Sequence, residues 1–326
     1  MRISHADAAE IVRLARHWGM QRGLFNLRGT FKGGYDESHP DIWPPEPKLG
    51  SLDQLERVTK LPSPFVTALH DNYQDIYPRS GSFPHGVVQT ADGHLMHGGH
   101  WHGGQCFIVC PTTQVEYARR NWEHVQSLGL RGYFIDTAAC VQFYQCHHPD
   151  HPMSRSEDVE SKLELMGFFK EQGLVLGSEN AADFGLYHLD FLENRHERIP
   201  GVSIPLWPLV FHDAAFYARY GSQGTSGGEP ASQLENILWG YMCYFPANSL
   251  ENWRACEDEF KRTLAVDEWH RRVGMDEMTT HRYVTEDGLV EQTEFSSGVS
   301  VIANFADEPR TVEGKTVAGR SHVVLE

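Results

Sequence analysis

The sequence predicts a β/α barrel followed by a small antiparallel β unit. Amphipathic helix patterns recur along the chain, short apolar runs lie between them, and the pattern changes to strict alternation near the C-terminus. A length of 326 residues suits one barrel with a small appendage. We assign residues 1–277 to the barrel, which would be the catalytic domain, and residues 278–326 to the β unit.

Helices are predicted from apolar spacing and from N-terminal capping patterns. Ile11, Leu14, Ala15 and Trp18 recur three and four positions apart, and Gly19 follows them, which predicts a first helix. Four more helix starts are indicated by capping-box spacing, in which a small polar residue precedes Glu or Gln by three positions. They are Ser51 with Gln54, Thr113 with Glu116, Ser154 with Glu157, and Asn248 with Glu251. The helix near Thr113 is expected to end at Gly129.

Short apolar runs without alternation are typical of parallel strands that are covered on both faces. Seven such runs occur: Leu24–Leu27, Phe65–Leu69, Phe107–Val109, Gly132–Ile135, Leu174–Leu176, Ile204–Phe211 and Trp239–Phe245. Their interleaving with helices favours a TIM-like barrel over an open doubly wound sheet, which is the alternative. No strand pattern precedes the first helix, so the barrel is expected to lack its first strand. A subunit contact or another segment of the chain would then cover the strand near Leu24.

The segment after Met278 changes character. Val299, Val301, Ala303 and Phe305 alternate with Ser300, Ile302 and Asn304 between turn signals, which predicts antiparallel strands. Two long loops, Gly33–Gly50 and Tyr77–Gln105, interrupt the barrel pattern, and loops of that length inside a compact domain usually carry function or are disordered.

Charge and composition exclude several classes of protein. The net charge of -16 repels nucleic acid and anionic membranes, so neither is an expected partner, whereas a homo-oligomer is compatible with the sequence. No apolar run reaches the length of a membrane span and the N-terminus has no signal-peptide pattern, so we expect a soluble, cytoplasmic protein. The six scattered cysteines indicate buried thiols rather than a disulfide framework.

Polar clusters follow four of the predicted strands. They are His70-Asp71-Asn72, Asp136, Ser178-Glu179-Asn180 and His212-Asp213. In a barrel the C-terminal ends of all strands open onto one mouth, where active sites form, so these clusters are expected to converge. A carboxylate directly after a buried strand either caps the next helix or faces a cleft, and its repetition at successive strand ends favours the cleft.

Asp136 and Glu179 end strands that are predicted to be neighbours. Adjacent strands lie about 4.8 Å apart, so the two carboxyl groups would approach the separation of roughly 5 to 5.5 Å that a retaining glycosidase uses. One group would attack the anomeric carbon while the other donates and then recovers a proton.

Several strings in order resemble a known family. They are Gly34-Tyr35-Asp36, His39-Pro40-Asp41, Pro44-Pro45, Leu69-His70-Asp71-Asn72-Tyr73-Gln74-Asp75, Tyr133-Phe134-Ile135-Asp136 and Gly177-Ser178-Glu179. Together they are similar to the barrel glycosidases related to the α-N-acetylgalactosaminidases, glycoside hydrolase family 129. The likeness covers roughly Ile3 to Phe245, and the tail resembles the β domain that often follows such barrels.

The resemblance implies a retaining glycosidase acting on α-linked sugars of the galactose or N-acetylgalactosamine type. By position, Asp136 matches the nucleophile and Glu179 the acid/base, while Asp71 matches an essential acidic residue that holds sugar hydroxyls. Members of this family usually carry a large β-sandwich before the barrel, whereas this sequence begins with a helix pattern.

Further sugar contacts are predicted around the mouth, because hydroxyl-rich ligands need paired donors, acceptors and aromatic faces. The candidates lie in loops or beside the carboxylates: Tyr35, Asp36, Trp101, His70, Asn72, His212 and Asp213. Trp101 would equally serve to anchor its own loop.

Two histidine-rich stretches leave other chemistry open. His94, His97, His100 and His102 precede Cys106, and Cys146-His147-His148 with His151 follows the strand of Asp136. Because neither has the spacing of a known zinc motif, we expect no metal and no cofactor. A metal-dependent hydrolase and a non-catalytic carbohydrate-binding relative are the alternatives. A serine-hydrolase motif match at Gly224–Gly228 lacks a preceding strand, which favours a flexible loop.

Overall fold

A computed structural model describes residues 3–180, 182–195, 204–220 and 230–326. The chain divides into two compact units. The first comprises Met1–Leu189 with Asn248–Trp253, and the second comprises Asp190–Ala247 with Arg254–Glu326.

The first unit alternates helices and strands as the sequence predicts. Its helices are α1 (His5–His17), α2 (Leu52–Thr59), α3 (Pro111–Val125) and α4 (Arg155–Glu171). Its parallel strands are β1 (Gly23–Arg28), β2 (Phe65–Asn72), β6 (Gly132–Asp136) and β7 (Val175–Glu179), hydrogen-bonded in that order with β1 at the edge. Between β2 and β6 lies a small antiparallel sheet of β3 (Asp75–Ile76), β4 (His97–Trp101) and β5 (Gly104–Ile108).

The helix predictions hold where the capping groups are present. Ser51 and Ser154 form complete capping boxes with Gln54 and Glu157 at the starts of α2 and α4. The box predicted at Thr113 is wrong, because α3 begins two residues earlier at Pro111, a residue suited to the first turn of a helix. The expected stop is confirmed: a short 3-10 turn continues to Leu128, and Gly129 adopts a left-handed conformation.

Three predicted barrel strands are wrong within the described residues, and the first two are Phe107–Val109 and Ile204–Phe211. Phe107–Val109 does not join the parallel sheet, because the tight hairpin from Trp101 to Gly104 pairs β5 with β4 in an antiparallel manner. Ile204–Phe211 is largely helical, as α5 (Leu206–Phe211). Pro205 and Pro208 explain this, since proline removes strand hydrogen bonds but is tolerated in the first turn of a helix.

The second unit contributes two further parallel strands, β8 (Phe191–Arg195) and β9 (Phe216–Tyr220), which pair in register. Its remaining helices are α6 (Pro230–Trp239) and α8 (Glu257–Val273), while α7 (Leu250–Ala255) begins in the first unit. The strand predicted at Trp239–Phe245 is also wrong. Gly240 ends α6 with a positive φ of 67°, and only Met242 forms an isolated bridge to Ala218.

The C-terminal segment is antiparallel, as its alternation predicts. β10 (Met278–Tyr283), β11 (Val290–Phe295), β12 (Ser300–Asn304) and β15 (Ser321–Leu325) form one sheet, and β13 (Arg310–Val312) pairs with β14 (Lys315–Val317). The boundary at residue 278 between a barrel and a β unit stays a prediction, since the two compact units divide the chain elsewhere.

The described residues therefore contain six parallel strands, four in the first unit and two in the second. They support a partial TIM-like barrel accompanied by small antiparallel sheets, and they do not include a closed ring of eight. In this part of the chain, no helix has both the length and the apolar character needed to span a bilayer. The motif match at Gly224–Gly228 lies outside the described residues.

Candidate active site

Asp136 and Glu179 are the last residues of two neighbouring strands of the first unit. The register pairs Ile135 of β6 with Ser178 of β7. Asp136 and Glu179 are the next residues of these strands, so they lie side by side at the same edge of the sheet. Each is followed by a residue with positive φ, Thr137 at 63° and Asn180 at 60°. A β-branched threonine rarely adopts this conformation, and such backbone strain is concentrated at functional sites.

Asp136 is approached by side chains from two other elements. The Tyr35 hydroxyl donates a hydrogen bond to Asp136 Oδ2, and His70 Nε2 lies 3.7 Å from Asp136 Oδ1. Burial would raise the pKa of Asp136. His70, the Tyr35 hydroxyl and the Arg28 charge outweigh burial and lower that pKa to about 2. Asp136 is therefore ionised at neutral pH although its side chain is only 13% exposed.

Tyr35 is fixed by three surrounding side chains. The Arg28 guanidinium lies 4.0 Å from the centre of its ring, and the rings of His39 and His70 meet it edge-on, each at 5.1 Å. Burial and the charge of Asp136 raise the pKa of Tyr35 well above its ordinary value. The hydroxyl therefore keeps its proton and remains a donor to Asp136.

His70 offers a polar atom to the same space. Its Nδ1 lies 3.1 Å from Asn26 Nδ2, and its ring packs on Phe134 with centroids 4.3 Å apart. Burial lowers the pKa of His70, so the ring is neutral at neutral pH. Among the described residues its buried Nε2 has no hydrogen-bond partner. Buried polar atoms are normally satisfied, so this nitrogen is available to a ligand.

Asp71 lies on the opposite face of β2 from His70, as strand alternation requires. It is 1% exposed, and its oxygens accept from protein donors. Oδ1 lies 3.0 Å from His39 Nε2 and 2.9 Å from the Asn72 amide, and Oδ2 accepts from the Tyr133 hydroxyl at 2.8 Å. This geometry positions His39. The sugar contact that the resemblance implies for Asp71 stays a prediction.

Asn72 is likewise engaged within the protein. Its Oδ1 accepts from the backbone amides of Gln74 and Asp75, at 2.8 and 3.0 Å, and its Nδ2 donates to Asp75 Oδ2 at 3.0 Å. These bonds form the turn that ends β2 and orient Asp75. The sequence prediction of a sugar contact at Asn72 is untested, and the contacts give this residue a positioning role.

Asp75, to which the sequence analysis gave no role, lies beside this turn and interacts with the charges of Asp36 and Asp136. Asp75 is buried and accepts from Cys106 Sγ at 3.3 Å. Burial, together with the charges of Asp36 and Asp136, raises the pKa of Asp75 to about 6. Burial also raises the pKa of Asp36, whose φ is 56° and which faces His39 and Tyr77. Carboxyl groups with raised and with lowered pKa values thus share one region.

Glu179 is buried, with 6% exposure. Its Oε2 lies 3.7 Å from Cys140 Sγ, which belongs to the loop that follows Asp136. The preceding Ser178 donates to the Ile135 carbonyl at 2.7 Å and so ties the two strands at the level of the carboxylates.

Trp101 ends β4 and is 54% exposed. Its indole lies so close over Gly99 that a Cβ there would sit 2.5 Å from the ring. Two residues later, a Cβ on Gly103 would meet the Asp36 carbonyl at 1.8 Å, so the β4–β5 hairpin packs directly on the loop that carries Tyr35 and Asp36. An exposed aromatic face is thereby fixed next to the predicted sugar contacts.

His212 and Asp213 belong to the second unit. His212 ends α5 and is buried, with Nδ1 2.6 Å from the Asp276 carbonyl and Nε2 3.3 Å from the Gly240 carbonyl. Asp213 is exposed. The predicted strand that was to carry them is a helix, so their assignment to the mouth loses its strand-end argument and remains only a prediction.

Sequence reasoning gave no role to Arg28, Asn26, His39, Asp75 and Cys140, although His39 and Asp75 stand in the strings that resemble the family. Arg28 and Asn26 occupy β1, where alternation places them with His70 on one face of the sheet, since Asn26 is in register with Ala68 and Arg28 with His70. Their polar character inside an otherwise apolar strand was the available signal. The positions of His39, Asp75 and Cys140 depend on loop conformation, and no sequence pattern indicated that conformation.

A family model for glycosyl hydrolases related to the GH101 family, GH129, matches residues 77–197, the segment with β4 to β7 and both candidate carboxylates. The chain resembles family GH129. This confirms the resemblance predicted from the sequence strings. No protein of curated function matches the chain significantly by sequence.

Solved structures of the α-N-acetylgalactosaminidase NagBb from Bifidobacterium bifidum are similar to the chain. The ligand-free form is 26% identical with a TM-score of 0.82, over 93% of this chain and 51% of that one. The GalNAc complex is 23% identical with a TM-score of 0.83, over 99% and 53%. The GH36 α-galactosidase AgaB from Geobacillus stearothermophilus, 9% identical with a TM-score of 0.59 over 99% and 52%, shares the fold. The chain thus spans about half the length of these GH129 and GH36 proteins.

The raised pKa of Asp75 predicts a pH-dependent effect of Asp75→Asn. Because the folded-state pKa of about 6 lies above the ordinary 3.8, the folded chain binds an extra proton and loses stability as pH rises through that window. Asp75→Asn removes this loss. The variant should gain up to about 3 kcal/mol of unfolding free energy relative to wild type between about pH 4 and about pH 7.5.

Urea unfolding at both pH values measures this difference. Asp150→Asn, at an exposed position, is the matched control and should show the same small effect at either pH. An Asp75→Asn effect that does not change with pH would show that folding does not raise the pKa of Asp75.

Proposed function

We propose that the chain is a glycoside hydrolase that cleaves α-linked glycosides with retention, with Asp136 as nucleophile and Glu179 as acid/base. One observation carries the proposal. Asp136 is a partly buried but ionised carboxylate that accepts a hydrogen bond from Tyr35, and it ends a strand whose parallel neighbour ends in Glu179. The likeness to GH129 and to an α-N-acetylgalactosaminidase supports the same assignment.

In the first step a carboxylate oxygen of Asp136 attacks the anomeric carbon. The bond from that carbon to the leaving oxygen breaks, and protonated Glu179 transfers its proton to the departing oxygen. The product is a glycosyl ester on Asp136 with inverted configuration. Tyr35 orients the attacking carboxylate, because its hydroxyl donates a hydrogen bond to Asp136 Oδ2. This hydrogen bond takes the place of one from water.

In the second step Glu179, now a carboxylate, takes a proton from water. The water oxygen attacks the anomeric carbon, the ester bond to Asp136 breaks, and the sugar leaves with its original configuration. Two inversions give net retention, and both carboxyl groups return to their starting protonation states.

The assignment of roles follows from the surroundings of the two groups. The nucleophile must be ionised before substrate binds, and the donors around Asp136 lower its pKa to about 2. Glu179 is buried next to the Cys140 thiol, and it stands at the position that, by the family resemblance, matches the acid/base. The reverse assignment would require Asp136, which is ionised at neutral pH, to donate a proton.

We propose a galactose-type or N-acetylgalactosamine-type sugar. Support comes from the similarity to NagBb, which has been solved in complex with GalNAc. In this chain, His70 Nε2 and the Asp36 carboxyl group would bind hydroxyls, and the exposed indole of Trp101 would stack on the apolar face of the ring.

The central substitutions are Asp136→Asn and Glu179→Gln. Each removes one half of the double displacement, so turnover of a 4-nitrophenyl α-glycoside should fall by about 10³-fold or more while the circular dichroism spectrum and the melting temperature change little. Asp150→Asn and Glu160→Gln, both at exposed positions, are matched controls and should retain wild-type turnover.

Azide separates the two roles. With Glu179→Ala and an activated leaving group, azide should restore turnover and yield the α-glycosyl azide, because it intercepts the ester on Asp136 without needing a base. Near-normal activity of either carboxylate variant, or no hydrolysis by wild type across a panel of nitrophenyl α-glycosides, would contradict the proposal.

Trp101→Ala tests the stacking surface. Loss of the indole should raise KM by about two- to tenfold, since stacking by an aromatic ring contributes about 0.5–1.5 kcal/mol beyond its buried area. Trp101→Phe, which keeps an aromatic face, should recover most of the loss. If Trp101→Ala lowers only the melting temperature and leaves KM unchanged, the indole anchors its hairpin instead.

A further inference from the structure

Two cysteines and a histidine meet outside the candidate active site. Cys110 precedes the first turn of α3, while Cys146 and His151 lie in the loop that joins β6 to α4. That loop folds back on itself, because Cys146 and Met153 exchange backbone hydrogen bonds of 2.8 and 3.0 Å. The second histidine-rich stretch of the sequence is thus brought to a cysteine 36 positions before it.

The ligating atoms of the three residues converge. Cys110 Sγ, Cys146 Sγ and a ring nitrogen of His151 all lie within 4.8 Å of one another, and Cys146 Sγ is 3.4 Å from His151 Nδ1. Both thiols are buried and the histidine is half-buried. In tetrahedral coordination with Zn–S of about 2.3 Å and Zn–N of about 2.0 Å, sulfur and nitrogen would be roughly 3.6 Å apart and two sulfurs roughly 3.8 Å apart.

The donor set selects among metals. Thiolate sulfur and imidazole nitrogen suit zinc, whereas calcium and magnesium take oxygen ligands. Three protein ligands leave a fourth position, and the half-buried side at His151 lets water occupy it. The other side is closed by apolar groups, including Val88, Ile108 and Met153, so bound metal would be shielded from most of the solvent.

We propose that Cys110, Cys146 and His151 bind one zinc ion that ties the loop after the nucleophile strand to the start of α3. Residues 137–154 also carry Cys140, which contacts Glu179, so the ion would stabilise a loop that borders the acid/base. The same loop is held at its other end by the buried Asp158–Lys162 ion pair of α4. Lys162 donates to the Gln142 carbonyl at 3.1 Å, and Asp158 accepts from the Tyr144 amide.

Two other states of these residues are possible outcomes of the test. The thiols would simply pack in the apolar cluster, or Cys110 and Cys146 would oxidise to a disulfide. Zinc differs from both because it requires His151 and protects both cysteines at once without oxidising them.

The test uses the full chain, purified under reducing conditions, stripped with a chelator and reloaded with zinc. Elemental analysis after gel filtration should give one zinc per chain, and cobalt in its place should give thiolate charge-transfer absorption. Cys146→Ser and His151→Ala should each weaken zinc binding by at least about 100-fold. Cys256→Ser and His94→Ala, which alter a cysteine and an exposed histidine elsewhere, should leave it unchanged.

Alkylation of the wild-type chain keeps the test decisive if a variant fails to fold. Zinc should protect Cys110 and Cys146 from iodoacetamide, with Cys256 reacting equally in its presence and absence, as read by peptide mass mapping. Retention of no zinc would overturn the proposal. So would binding that survives Cys146→Ser and His151→Ala, which would place the metal on exposed histidines, or a Cys110–Cys146 disulfide in protein that takes up no zinc under reduction.

Discussion

The hydrogen bond from the Tyr35 hydroxyl to Asp136 is the interaction on which the candidate site depends. A carboxylate that is mostly removed from water loses hydration free energy unless donors replace the solvent. Tyr35 supplies one donor from a loop, and His70 approaches the other oxygen from the neighbouring strand. The ring of Tyr35 is itself fixed by Arg28, His39 and His70, so the loop conformation and the ionisation of Asp136 are coupled.

The two faces of β2 carry residues that make different contacts in the site. His70 and Asn72 lie on the face shared with Asp136, whereas Asp71 lies on the other, where it holds His39 and accepts from Tyr133. His39 in turn contacts Tyr35, so Asp71 acts on Asp136 through two intervening side chains. We infer that the essential role implied for this acid by family resemblance would, in this chain, include positioning of the loop that carries Tyr35.

Much of this site could be predicted from the sequence, for a definable reason. Asp136 and Glu179 each follow an apolar run, and the register of β6 and β7 brings the residues at those two ends together. The strands β8 and β9 were missed because polar residues such as Glu193 and Arg219 interrupt any apolar run. Ile204–Phe211 misled the assignment because its apolar content hides two prolines that start a helix.

What the sequence could not predict are the contacts made through loops. Asp75 and Cys106 are 31 positions apart, and Cys110 and Cys146 are 36 apart, and each pair meets only because the segments between them fold back. No local pattern fixes such distances, since the path of a long loop depends on tertiary packing. The raised pKa of Asp75 follows from that burial and was likewise invisible in the sequence.

The central claim is that Asp136 becomes covalently bound to the sugar. A 5-fluoro α-glycosyl fluoride would react with the chain to form the glycosyl ester, and this ester would hydrolyse slowly. The intermediate would therefore accumulate, and mass spectrometry of the digested chain would detect it. The account predicts one sugar per chain, attached within the peptide of β6 at Asp136, and no label in Asp136→Asn. A label on Asp36, Asp75 or Glu179, or turnover with inversion and no covalent species, would contradict it.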